Sequence, residues 1–360
     1  MPTTDPTALR SLGLTELVHT ARSLNVENAS SLRKQELIAA ILRSSPTAAT
    51  SDGEGVLEIL PDGFGFLRAA EYGYLPGADD IYVSPSQIRR FNLRTGDVVR
   101  GQVRAPKENE RYFALIKVEA VNTESAEGAR DKVFFDNLTA IHPTRRLLLG
   151  AGSTGGDPVR VIDRLAPLAF GQRCFLHAHG RAGVASLRHT IAAGIHHNHP
   201  EAALYTLLVA ERPEDVTEAQ RSLPGQVAAT TFDEGESRHL QVAEMVIERA
   251  KRHAEAHGDA VVCFDSVSRL IRAAGGAVPP SGRQVCGVDA AIVQRVRRLL
   301  AAARNLEEGG SLTMVAVIDA DDPVSGELAG IENHRLVLDV RGELDENLSH
   351  AERRELLGTA

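Results

Sequence analysis

Apolar residues change rhythm twice along this chain, and the three regimes predict three kinds of structure. Leu9, Leu12, Leu14, Leu17, Val18, Ala21 and Leu24 recur at helical spacing, and so do Leu32, Leu37, Ile38, Ile41 and Leu42. Two short helices are expected, with Ser30 or Ser31 capping the second. The small and polar residues from Ser44 to Gly53 follow as a linker. From Gly55 short segments separated by turn residues take over: Val56–Leu60, Phe64–Arg68, Ile81–Val83, Asp97–Val103 and Tyr112–Val121. About five such strands suit a small Greek-key barrel of the OB or cold-shock kind. Between them, Ser84-Pro-Ser-Gln87 offers an N-cap, a proline at the first helical position and a Gln at the third, which starts a short helix.

Beyond a polar connector the runs lengthen. Cys174–Leu176, Leu204–Ala210, Ala260–Phe264, Leu312–Ile318 and Leu336–Val340 are continuously apolar, as strands buried on both faces must be. Helical patterns at Val184–Ile195, Glu236–His257 (closed by Gly258) and Asp289–Leu306 alternate with them. An open, doubly wound α/β sheet is the expectation. The resulting division is a helical module at 1–45, a barrel at 53–121, a connector at 122–150, the α/β domain at 151–345 and an acidic tail at 346–360. The acid-rich stretch from Asp319 onward is expected to be solvated surface.

Two places carry candidate chemistry. Phe64, Phe66 and Arg68 share one strand face by the period of two, and Gly63 and Gly65 leave room beside them. Aromatic rings and a guanidinium on one face form a platform for unpaired bases, each stacked base contributing ~1–3 kcal/mol. The competing reading makes both phenylalanines core. Tyr82, Arg111 and Tyr112 on other strands favour binding, because aromatics are only 4% of the chain and still gather here.

The second place is Phe175-Leu-His-Ala-His-Gly-Arg-Ala-Gly-Val-Ala185, a short apolar run, a Gly-bearing turn and a helical segment. That layout suits a phosphate-binding loop, G-x-x-x-x-G-K-S/T, whose Lys neutralises phosphate charge and whose hydroxyl ligates Mg²⁺. Gly183 keeps the final glycine, but Val184 and Ala185 stand where the Lys and the hydroxyl belong. Asp265 ends one apolar strand, where a magnesium-holding Asp would sit. Glu211, followed by Arg212, ends another, where a water-orienting carboxylate would sit. Either could equally be a helix cap. His196, His197 and His199, with His177 and His179, are crowded together without Cys or carboxylate at ligand spacing, so no metal site is expected.

Composition adds bounds. At 360 residues and 43% hydrophobic, the chain can build two or three cores. No apolar run approaches the ~18–20 residues of a membrane span, and the N-terminus lacks a basic segment followed by an apolar one. Cys174, Cys263 and Cys286 are too few and too dispersed for a disulfide frame. A cytoplasmic protein without a membrane partner is expected. The net charge of −8 argues against non-specific coating of nucleic acid, though not against a local groove.

Laid out this way, the chain closely resembles the bacterial transcription termination factor Rho family, hexameric RNA-dependent ATPases and translocases. The resemblance rests on Pro61-Asp-Gly-Phe-Gly-Phe-Leu-Arg68, the stretch from Asp79 to Asp97, Glu110-Arg-Tyr-Phe-Ala114, Glu211-Arg-Pro-Glu-Asp-Val-Thr217, Ser237-Arg-His239 and the stretch from Ala303 to Leu312. It extends from the helical module to about Ile318. It implies an α/β domain of the RecA-like P-loop type and a barrel that takes C-rich single-stranded RNA through Phe64, Phe66, Arg68, Asp80, Tyr82, Glu110, Arg111 and Tyr112.

In the motor half the sequence departs from the family pattern. The family's loop ends Lys-Ala-Gly-Lys-Thr; here it is Arg181-Ala-Gly-Val-Ala185. Ser281-Gly-Arg-Gln-Val-Cys-Gly-Val-Asp289 is one residue shorter than the family's pore loop, and Ala329 replaces a Lys of the second one. Gly342-Glu-Leu-Asp-Glu-Asn stands where a basic run with an arginine finger is expected. The resemblance therefore implies a degenerate, C-terminally truncated Rho-like paralogue. Arg181, Gly183, Val184, Ala185 and Arg212 would line a degenerate nucleotide site, with Glu211 and Asp265 vestigial. Such a protein would bind RNA without hydrolysing ATP and would modulate termination by competing for RNA or by joining Rho rings. Two alternatives stand beside it. One is a working ATP- and Mg²⁺-dependent termination factor, and the other a plain RNA-binding protein on an α/β scaffold.

Overall fold

The computed structural model describes residues 9–10, 12–44, 51–107, 110–150 and 158–357. The linker residues 45–50, the glycine-rich 151–156 and the last three residues of the expected tail lie outside them. The chain forms two compact units, Met1–Lys132 and Val133–Ala360.

In the first unit, α1 (Leu14–Ser23) and α2 (Lys34–Ser44) bury Leu17 and Ala21 against Leu37, Ile38 and Ile41. These positions are spaced three and four apart, so each helix offers one apolar stripe. Neither Ser30 nor Ser31 caps α2. Ser31 ends a 3₁₀ turn at Ala29–Ser31, and the Arg33 backbone N–H is taken at 2.8 Å by the carboxylate of Glu36, one turn into the helix. Arg10 reaches from this module to Asp79 of the barrel through a buried pair at 3.0 Å.

The barrel strands are β1 (Ser51–Ile59), β2 (Gly65–Arg68), β3 (Ile81–Val83), β4 (Val98–Arg104) and β5 (Phe113–Val121). They pair in the order β3-β2-β1-β4-β5, and β3 closes on β5 through Ile81↔Phe113 and Tyr82↔Ala114. Strand β1 begins at Ser51, inside the stretch expected to be linker, because Ser51–Gly53 pair with Gly101–Val103. Leu57, Leu67, Ile81, Val83, Val99 and Val103 fill the interior, so their alternate neighbours face outward. Helix α3 (Pro85–Arg90) starts as its sequence dictates, with Ser84 and Gln87 forming a capping box.

The second unit is a parallel sheet in the order β8-β7-β9-β10-β6-β11. In chain order the strands are β6 (Arg173–Ala178), β7 (Ala203–Glu211), β8 (Gln226–Thr231), β9 (Asp259–Asp265), β10 (Ser311–Asp319) and β11 (His334–Leu338). The helices that position the site are α4 (Val184–Asn198), α5 (Pro213–Ser222), α6 (Glu236–Glu255), α7 (Val267–Ala273) and α8 (Ala290–Leu300). Five strands lie at the expected apolar runs. Strand β8 went unseen because Gln226-Val-Ala-Ala-Thr-Thr231 is a weakly apolar edge. The expected helix to Leu306 stops at Leu300, and Arg304–Leu306 instead pairs antiparallel with β10. Nor is the region after Asp319 merely solvated surface. Val324, Leu328, Leu336 and Leu338 are buried, and β11 pairs with β6.

Candidate nucleic-acid interface and nucleotide pocket

On the barrel's outer face the aromatic residues form one connected cluster. Ring centroids lie 5.8 Å apart for Phe64–Phe66, 5.7 Å for Phe64–Tyr82 and 4.8 Å for Phe66–Tyr112. The members are not equally accessible. Phe66 is only 8% exposed, enclosed by its neighbours, whereas Phe64, Tyr82 and Tyr112 are half-buried and Arg111 is exposed, 5.6 Å over the Tyr112 ring.

Arg68 differs from its expected place on an open platform. Its side chain is 5% exposed, lies 4.9 Å from the Phe66 centroid, and is spent on two carboxylates, Glu58 (2.6 Å) and Asp80. One guanidinium serving two buried acids leaves Asp80 under-compensated. Burial pushes its carboxyl up to about 6, against the pull of Arg68 and the Gly77 N–H. The pair braces the cluster from beneath. Glu110, by contrast, is exposed. Arg104 holds it through a two-point contact, with one bond at 2.9 Å, and the Lys107 N–H donates to it at 3.1 Å; its carboxyl is drawn down to about 2, chiefly by Arg104. Tyr82, Gln87, Arg104, Glu110, Arg111 and Tyr112 line a cleft of about 590 Å³. It offers ring faces, donors and an acceptor to a flat, polar ligand.

In the second unit, the strand ends converge on a cavity of about 600 Å³, lined among others by Gly180, Arg181, Ala185, Arg188, Glu211 and Asp265. The loop after β6 turns on Gly180 and Gly183, both at positive φ, and leads into α4. A Cβ on Gly183 would lie 2.3 Å from the Gly342 carbonyl oxygen, so the Asp339–Gly342 turn abuts the loop backbone to backbone. The register of β8 on β7 slips between Ala229 and Thr231, and Ala210 takes φ +48°; together these turn Glu211 inward.

Glu211 and Asp265, 4% and 5% exposed, are both engaged by arginines. Glu211 pairs with Arg181 and Arg269; Asp265 pairs with Arg188 and, at 2.7 Å, with Arg269. Partial burial, with Arg269 next to it, lowers the Arg181 guanidinium. Arg212 is not among the cavity's lining residues; exposed, it stands just before α5. Sequence reasoning missed Arg188 and Arg269, although both carried a signal. Arg188 is four residues after Val184, on the helix face that the loop feeds, and Arg269 is four after Asp265.

The loop at 281–289 is a two-residue hairpin. Cys286 and Gly287 both take positive φ, as a type I′ turn requires. Its base is tied by Ser281 Oγ to Asp289 (2.7 Å), and Arg272 donates to the Cys286 carbonyl at 2.7 Å. Asp289 also caps α8. Ala329 is exposed beyond the one-turn helix Ser325–Leu328. His199 accepts from the Leu148 N–H at 2.9 Å and packs edge-on to Phe170. Among the described residues no three His, Cys, Asp or Glu side chains converge as metal ligands, and no helix is long and apolar enough to cross a membrane.

A closed barrel with an aromatic cleft, joined in sequence to a parallel α/β sheet of the ATPase type, defines the class. The second unit's fold is shared with an ATPase of the type III secretion system of pathogenic bacteria (TM-score 0.53, 22% identity, 62% of this chain and 67% of that one). It is also shared with the ATP synthase subunit NeqB of Nanoarcheaum equitans (TM-score 0.54, 13% identity, 61% and 59%). The Rho termination factor RNA-binding domain matches residues 53–127, and the Rho termination factor N-terminal domain matches residues 8–46. Transcription termination factor Rho of Escherichia coli K12 is 48% identical over 370 residues, covering 98% of this chain and 88% of that protein. Rho of Salmonella typhimurium LT2 gives the same figures. Rho of Buchnera aphidicola from Schizaphis graminum is 48% identical over 368 residues. The chain belongs to the Rho termination factor family. The likeness continues past Ile318, where the sequence reading had ended it.

Proposed function

We propose that this protein binds single-stranded, C-rich RNA through the barrel cleft and acts in transcription termination, with the α/β unit as its partner domain in the division drawn from the sequence. The observation that carries the reading is the cleft itself. Three half-buried rings and an exposed arginine lie within the segment matched by the Rho RNA-binding domain. Stacking on such rings tolerates any base, while Arg104, Glu110 and Gln87 supply the hydrogen-bonding groups that could favour one.

Two readings of the second unit follow. Identity of 48% over 98% of the chain to proteins named transcription termination factor Rho backs a working termination factor, which on the ATPase-like fold of the second unit would be ATP-driven, better than an idle motor. The pocket chemistry supports the idle motor, which would compete for RNA or join rings of an active relative. No Lys or hydroxyl stands at Val184 and Ala185, and the two strand-end carboxylates are already neutralised by three arginines. On this geometry we favour RNA binding without hydrolysis. Phosphate release from ATP by the pure full chain, with saturating C-rich RNA, decides between them. The expected result is no RNA-stimulated turnover, and clear turnover establishes the ATP-driven reading instead.

A further inference from the structure

We propose that Arg188 acts as a built-in cation that occupies Asp265, so that the cavity rejects a magnesium-bearing nucleotide even when the loop's missing Lys and hydroxyl are restored. The inference rests on the non-hydrolysing reading and deepens it by naming the obstacle. A strand-end Asp in a phosphate-loop enzyme is useful because it is free to hold Mg²⁺, directly or through water. Here neither oxygen is free: Oδ2 accepts from Arg188 and Oδ1 from Arg269. The Glu211 oxygens are likewise taken by Arg181 and Arg269.

Three guanidinium groups on two carboxylates take up every oxygen of Glu211 and Asp265, so neither acid offers a ligand to a divalent cation, while the cavity's other acids, Asp215, Glu218 and Asp319, stand outside this cluster. The arginines are not equivalent. Arg181 is exposed and can swing away, and Arg269 is shared between both acids. The Arg188 side chain is 12% exposed, projects from the first turns of α4 into the cavity floor, and has a buried Nε without an acceptor. Its bonding is therefore directed at Asp265. The residues do not fit a magnesium nucleotide, and the misfit lies deeper than the loop.

Four forms of the full chain test this: wild type, Arg188→Leu, the loop repair Val184→Lys with Ala185→Thr, and the repair combined with Arg188→Leu. Each is titrated with a ribose-labelled fluorescent ADP, with magnesium and with chelator. Thermal melting and C-rich RNA binding serve as folding controls, and Arg188→Gln runs in parallel in case the Leu form does not fold. The repair alone should show no magnesium-dependent tightening, and the combined form should tighten by about tenfold or more. If the repair alone already binds the magnesium nucleotide as tightly as the combined form, Arg188 is not the obstacle and the inference falls. It falls equally if the combined form melts like wild type and still gains nothing from magnesium. ATP turnover by wild type is measured alongside. Turnover there removes the non-hydrolysing reading, whereas inert wild type with a binding-competent repair removes only the role of Arg188.

Discussion

Replacing Arg68 with Met gives the sharpest test of how the aromatic surface of the barrel is held together. The Met keeps much of the apolar stem against Phe66 but removes a cation that Glu58 and Asp80 share, their side chains being 11% and 3% exposed. Breaking a buried pair by deleting one partner costs about 3–5 kcal/mol, because the surviving charge is left uncompensated. For a unit of this size that corresponds to a fall in melting temperature of roughly 10–20 °C. The pH dependence identifies the cause. The folded-state value of Asp80, about 6, lies above its ordinary 3.8. A carboxyl raised in this way contributes stability that is fully present at low pH and is lost as pH rises through the folded value. Removing Arg68 removes the attraction that opposes the rise, so the folded value climbs further. The deficit of Arg68→Met should therefore be large at neutral pH, shrink as the pH falls toward about 6, and lose its Asp80 share below that. Scanning calorimetry of the full chain at several pH values reads both effects. A neutral-pH transition within a degree or two of wild type, or a deficit of equal size at every pH, would refute the argument.

Phe64→Ala and Tyr82→Ala should each weaken C-rich RNA binding by about 1–3 kcal/mol, roughly 5- to 150-fold, in a fluorescence-anisotropy titration. Unchanged affinity in both would mean that the cleft is not the binding surface. Asp289→Ala removes the α8 cap and the anchor of the 281–289 hairpin. It should lower stability by about 1–2 kcal/mol in urea denaturation, and a midpoint equal to wild type would count against the cap. Gly342→Ala puts a Cβ 2.6 Å from the Ala182 carbonyl group at φ +81°. The expected loss is about 1–3 kcal/mol by thermal melting, and a neutral result would show that the turn does not press on the loop.

The barrel could be read from the sequence because its signals are local. Alternation placed Phe66 and Arg68 on the outer face, and Ser84 with Gln87 fixed the start of α3. What alternation does not report is depth. Phe66 and Arg68 are on the expected face yet covered, because Tyr82 and Tyr112 arrive from other strands and Glu58 and Asp80 close on the guanidinium. That Val184 and Ala185 carry neither a Lys side chain nor a hydroxyl was equally visible. The arginines that answer Glu211 and Asp265 were not, since their meeting depends on the pairing of β7 with β9. The approach of Gly342 to Gly183 joins positions far apart in the chain, and nothing in either local sequence signals it.

The aromatic cleft also makes the protein its own optical probe. The chain has no tryptophan, so its near-ultraviolet emission comes from five tyrosines. Tyr74 and Tyr205 are buried and Tyr72 is half-buried, while Tyr82 and Tyr112 line the cleft and none lines the cavity of the α/β unit. A base stacked in the cleft would therefore dim the emission of Tyr82 and Tyr112, and a ligand in the other cavity has no tyrosine wall to quench. Unlabelled protein in a cuvette thus reports which of the two sites has been filled.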